Sequence, residues 1–125
     1  MPNSTAWVIL TSRYGGDKRQ PSERDLARAI DELFDESPSG MREPDFAEHP
    51  NAWLRYGFDD GPLRVIDVYR TGVVIFSKYA DADLEELQSE NAVRGLDGDR
   101  ALSLWKWLAN GEIKKIVASY PECGW

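Results

Sequence analysis

The chain is predicted to fold as one α+β domain: an antiparallel β-sheet meander with helices packed on one face, in the order β-α-βββ-(α)-α-α. Three observations carry that expectation. Three β-rich runs between residues 53 and 79 are separated by turns too short to hold a crossover helix, so neighbouring strands must run antiparallel. A stretch beginning at Ser22 repeats its apolar residues at helical spacing. A length of 125 residues suits a single domain, and 42% apolar residues with five Trp, five Tyr and four Phe supply a core for it.

Taken in order, Ala6 to Ser12 is rich in β-formers and precedes the turn pair Gly15-Gly16, which reads as a strand. Asp17 to Gln20 is polar and reads as a loop. Pro21 then stands just outside a helix start, where Ser22 can accept from the backbone N–H of Asp25 and Asp25 can imitate the acid of a capping box. Leu26, Ala29, Ile30, Leu33 and Phe34 form the apolar stripe of that helix, and Ser37-Pro38-Ser39-Gly40 ends it. Residues 37 to 52 read as a long loop. Strands are expected at Trp53 to Phe58, Leu63 to Tyr69 and Val73 to Tyr79, with turns at Asp59-Asp60-Gly61 and Arg70-Thr71-Gly72. The middle strand carries apolar groups on both faces and is expected to be internal. Asp81 to Leu87 reads as one or two helical turns, and Arg94 to Gly98 as a break. A helix follows from about Asp99 or Arg100 to Asn110, with Gly111 ending it as C′. Glu112 to Ser119 fits a short helix or a strand, helix being preferred, and Pro121 to Trp125 is a tail.

Charge narrows the function classes. The formal net charge of -7 opposes non-specific nucleic-acid binding and anionic membrane surfaces, and it permits a basic protein partner. Solubility alone is the plainer account of such acidity. No apolar run reaches spanning length, and the first residues carry no export signal, so a cytoplasmic location is expected. The lone Cys123 cannot form an internal disulfide, which suits a reducing compartment.

The residues offer no catalytic constellation. A metal centre needs several converging ligands, and the chain has one His and one Cys; no metal and no cofactor are expected. His49 lies in a polar loop beside Pro50, where a turn or surface role suffices, and nothing near Cys123 marks it as reactive. No glycine-rich phosphate cradle follows any strand. Asp67, set between Ile66 and Val68, is the one acid at a costly position. Solvent exposure would relieve it, and so would a cross-strand cation such as Lys78 or Arg55.

The acids are unevenly distributed. Residues 31 to 60 hold nine acids against Arg42 and Arg55, a net of -7, and residues 81 to 100 hold seven against Arg94 and Arg100, a net of -5. If these segments meet they form one acidic face; a solvated surface is the plainer reading. Trp7, Trp53 and Trp105 are expected in the core. Trp107 lies off its helical stripe, and either it or Trp125 could anchor a partner or close the core edge.

The phrase Pro21-Ser22-Glu23-Arg24-Asp25-Leu26 after an N-terminal strand, the late helix ending Leu108-Ala109-Asn110-Gly111-Glu112-Ile113, and the terminal Trp125 together resemble small bacterial immunity proteins of the Imm1 type. The resemblance implies a non-enzymatic protein that binds and neutralises a cognate bacterial toxin, by steric occlusion with acidic side chains against a basic groove. The contact residues expected on that reading are Glu43, Asp45, Glu48, Asp59, Asp60, Asp83 and Glu86, with Trp107 as anchor. No catalytic residue is assigned, no nucleic-acid or membrane partner is expected, and a homodimer through an edge strand is open. Two alternatives stand beside it: a small accessory domain whose acidity serves solubility, and a carboxylate-dependent enzyme. A flat acidic surface would favour binding, and a deep pocket around Asp67 would favour the enzyme.

Overall fold

The computed structural model describes residues 6–12, 16–34, 51–58, 61–81 and 85–125. The Ser22 signal initiates helix α1 (Glu23–Phe34) as expected. Ser22 Oγ accepts the Asp25 backbone N–H at 3.1 Å, and the Asp25 carboxylate accepts the Ser22 N–H at 2.8 Å. Two N–H groups that the first turn cannot satisfy are thereby paired. Leu26, Ala29, Ile30 and Leu33 are buried, a stripe at i, i+3, i+4 and i+7.

The sheet has six antiparallel strands: β1 (Trp7–Thr11), β2 (Asp17–Arg19), β3 (Asn51–Phe58), β4 (Gly61–Tyr69), β5 (Val74–Tyr79) and β6 (Leu87–Val93), in spatial order β2-β1-β3-β4-β5-β6. Strand β4 is internal, as its two apolar faces require. The β4–β5 turn closes through the Gly72 N–H donating to the Tyr69 carbonyl at 2.9 Å. Two strands depart from the expectation. Residues 17 to 19 form an edge strand rather than a loop, although all three are exposed. Its order comes from backbone pairing with β1 and from the Thr11 hydroxyl donating to Asp17 at 2.6 Å. Leu87 to Val93 is the opposite edge strand, where helical turns and then unassigned chain were expected. Its polar composition hides a period-two exposure, which only pairing with β5 reveals.

Helices α2 (Gly98–Ala109) and α3 (Ile113–Ser119) follow, the second resolving the choice between helix and strand in favour of helix. Asp97 caps α2, its carboxylate accepting the Arg100 N–H at 2.9 Å, so the helix starts slightly earlier than its apolar stripe. At the other end Gly111, at φ 71°, donates to the Leu108 carbonyl at 3.0 Å, and the Glu112 N–H donates to Trp107 at 2.8 Å. This double bond pattern terminates α2 and turns the chain into α3. A last 3-10 turn, Pro121–Cys123, is held to β6 by the Asn91 side-chain amide, which donates to the Cys123 carbonyl at 3.1 Å.

All three described helices lie on one face of the sheet. Val8, Leu10, Ala52, Leu54, Ile66, Val68, Val74 and Phe76 point into a core shared with the α1 stripe, with Ala101, Leu104, Trp105 and Leu108 of α2, and with Ile116 of α3. Trp105 is fully buried, as expected, and its indole N–H donates to the Ile66 carbonyl at 3.0 Å. Trp7 and Trp53 are corrections: they sit at the alternate positions of β1 and β3, so the pleat directs them to the other face. Trp125 closes the core edge by packing edge-on against Phe76, ring centroids 5.5 Å apart. Leu63 and Val65 are buried yet stand outside the helix-side core, on that same second face.

Candidate functional site on the open face of the sheet

Register assigns the second face row by row. Thr11, Trp53, Asp67 and Ile75 lie side by side across β1, β3, β4 and β5. Ile9, Arg55, Val65, Ser77 and Glu90 form the adjacent row, and Trp7, Gly57, Leu63 and Tyr79 the next. None of the described helices contributes to this face. Gly57 keeps its centre low: a Cβ there would fall 2.9 Å from Leu63 Cδ1 and 3.0 Å from Trp7 Cζ2, so the Trp7 ring lies directly over Leu63 and the Gly57 backbone.

A cavity of about 240 Å³ opens between these rows, walled by Trp53, Tyr69, Ile75 and Tyr79, with Asp67 in it and Arg55 and Glu90 at its sides. Asp67 is neither exposed nor ion-paired among the described residues. Neither cation expected for it pairs with it: Lys78 stands opposite Arg64 on the helix-side pleat. Arg55 Nη2 lies 3.3 Å from Asp17 and donates to Thr11 Oγ1 at 3.2 Å, its guanidinium carbon 5.6 Å from the Trp53 ring centroid. Instead Asn51 Nδ2 donates to Asp67 Oδ1 at 2.8 Å, and Tyr69 supplies a second side-chain hydrogen bond. Burial pushes the Asp67 carboxyl up from 3.8 to about 6; those two hydrogen bonds oppose the shift, and the negative charge of Glu90 adds to it. The Tyr69 hydroxyl is likewise raised, by burial first and then by the Asp67 charge. Asp17, by contrast, is held below its ordinary value, chiefly by the Thr11 hydroxyl and also by Arg55. Trp53 Nε1 is buried without a hydrogen-bond partner among the described residues.

Most of the acidic residues expected at a contact surface, Glu43, Asp45, Glu48, Asp59, Asp60 and Asp83, lie outside the described residues, as does His49. Glu86 is exposed just before β6. Trp107 is half-buried against the helix-side core with the Lys115 ammonium 5.9 Å from its ring, a layer away from the cavity. Cys123 is fully buried and burial raises its thiol pKa, consistent with an unreactive side chain. Sequence reasoning singled out Asp67 and offered Arg55 beside it, but missed Asn51, Trp53, Tyr69, Tyr79 and Glu90 as its neighbours. The signal was the alternation within each strand; joining the strands needed the register.

No family model, curated protein or solved structure matches the chain.

Proposed function

We propose that the chain is a non-enzymatic protein-binding inhibitor, an immunity-type protein that neutralises a basic bacterial toxin domain by covering its working surface. One observation carries the reading: Trp7, Trp53, Tyr69, Tyr79 and Arg55 stand half-exposed on one face of a sheet that no described helix covers. Trp, Tyr and Arg are the residue types that dominate binding energy at protein interfaces. Here they sit on paired strands, so little ordering is left to oppose association. The Trp53 indole donor, unpaired among the described residues, supports the same reading, because a partner acceptor would relieve a group that is costly to leave unmet. The net charge of -7 favours encounter with a basic surface. Protection would be needed where the toxin is made, hence a cytoplasmic role without a nucleic-acid or membrane partner.

The test is capture of partners from host extract on immobilised wild-type protein and two variants, followed by co-expression of the captured protein in a growth assay. Wild type should retain a stoichiometric basic protein, released by salt, whose toxicity it suppresses. Trp53→Ala on the open face should lose it, and Lys114→Ala on α3 should keep it. Equal capture by both variants, or no partner with the neighbouring gene product expressed, would contradict the proposal.

A second reading is favoured by the cavity itself. Asp67, with a pKa near 6 beside Glu90, is poised as a proton donor and acceptor, as a small carboxylate-dependent enzyme would need. Against it, the cavity volume lies below the roughly 300 to 1,000 Å³ of small-molecule sites. A turnover abolished by Asp67→Asn would favour this reading.

A further inference from the structure

The cavity on the open face has a composition that selects one kind of occupant. Its floor is a carboxylate with no counter-ion among the described residues, and its walls are the rings of Trp53, Tyr69 and Tyr79. An ionised carboxylate offers about four acceptor sites. Asn51 and Tyr69 use some of them, which leaves capacity for an incoming donor. Aromatic faces attract cations through their quadrupole, most strongly where water is excluded. Two acids and one cation line the cavity among the described residues, a net negative charge. Glu90 on β6 adds negative potential to that of Asp67, and Arg55 on β3 is engaged by Asp17 and Thr11 from β2 and β1. Size narrows the choice further: about 240 Å³ suits one long side chain. Between the two basic side chains, the planar guanidinium stacks on aromatic rings and meets a carboxylate with two parallel bonds, whereas an ammonium is a compact and strongly hydrated point charge.

We propose that this cavity is the receptor for an arginine side chain of the bound partner protein, its guanidinium meeting Asp67 beside Trp53 and Tyr69 and its stem running along the lining toward Tyr79. The inference rests on the protein-binding reading above and deepens it: the partner is recognised by an arginine projecting from its surface into the open face. Desolvation makes the site selective. An empty cavity leaves Asp67 with no cation, and a neutral side chain would cover the carboxylate without compensating it.

The probe is Nα-acetylarginine amide, titrated into labelled protein while the Asp67 carboxyl carbon and the Trp53 indole resonance are followed. At saturation the Asp67 titration midpoint should fall by about 1 pH unit or more, as a carboxylate gaining an adjacent guanidinium does. Asp67→Asn should weaken binding at least about tenfold, the loss expected for one charge-assisted contact. Unchanged Trp105 and Trp125 indole resonances would certify that variant's fold. The neutral isostere Nα-acetylcitrulline amide should move neither reporter. A response to citrulline equal to that to arginine, binding unaffected by Asp67→Asn, or no saturable arginine response would overturn the assignment. The two readings fail separately. Partner capture that survives Asp67→Asn while the arginine probe does not bind leaves a binding face without an arginine receptor. Arginine-probe binding without any protein partner removes the inhibitor reading and leaves a guanidinium site.

Discussion

Asp67 concentrates the chemistry of this fold in one side chain. Its carboxyl is raised from 3.8 to about 6 because burial penalises the charge more than Asn51 and Tyr69 stabilise it. The folded state therefore holds this proton more tightly than the unfolded chain does. Below about pH 4 the acid is protonated in both states and costs nothing. As pH rises through 6 the folded protein must carry a buried charge, and stability falls. The rise in pKa corresponds to roughly 3 kcal/mol of destabilisation at neutral pH. Asp67→Asn keeps the size and part of the hydrogen bonding while removing the charge. It should raise the urea midpoint at pH 7 and flatten the pH dependence between pH 4 and 7. An unchanged pH dependence would show that the carboxyl is better solvated than its surroundings suggest. The cost of Asp67 could be read from its place between Ile66 and Val68. Its partners could not, because Asn51 lies 16 positions away along the chain and meets it only through the β3–β4 register.

Elements with local signals were legible and elements built by their neighbours were not. The Ser22–Asp25 box and the Gly111 stop each involve a few consecutive residues, so their physics is written in order along the chain. Gly111→Ala tests the second. It forces a side chain to φ 71° and sets a Cβ 2.7 Å from the Tyr56 hydroxyl oxygen. A loss of about 1 to 3 kcal/mol in equilibrium unfolding is expected, with near-wild-type stability contradicting the role given to this cap. Strands β2 and β6 belong to the other class. Asp17-Lys18-Arg19 has no apolar residue, and Leu87 to Val93 has a polar face toward solvent and a mixed one toward the sheet; both are ordered by the strand beside them. Edge strand β2, three exposed charges long, also discourages pairing between molecules.

At the scale of the molecule the protein is two-sided. One face of the sheet is spent on a core with α1, α2 and α3, and that division followed from helical stripes and strand alternation. The other face was half-legible. The sequence placed Trp7 and Trp53 in the core because a large apolar residue in a strand most often packs there. A strand has two faces, however, and composition cannot say which one the helices cover. Charge counting along the chain likewise pointed to acidic segments, whereas the cluster of Trp53, Arg55, Asp67, Tyr69 and Tyr79 comes from three different strands. The sheet face opposite α1, α2 and α3 is the proposed working surface. The five tryptophans report on it directly, since Trp7 and Trp53 lie on that face and Trp105, Trp107 and Trp125 on the helix side. The decisive measurement is the set of five indole N–H resonances of labelled protein during titration with its captured partner. The account predicts that Trp7 and Trp53 shift or broaden while Trp105, Trp107 and Trp125 hold their positions. Movement confined to Trp107 and Trp125 would place the interface on the helical layer and contradict it.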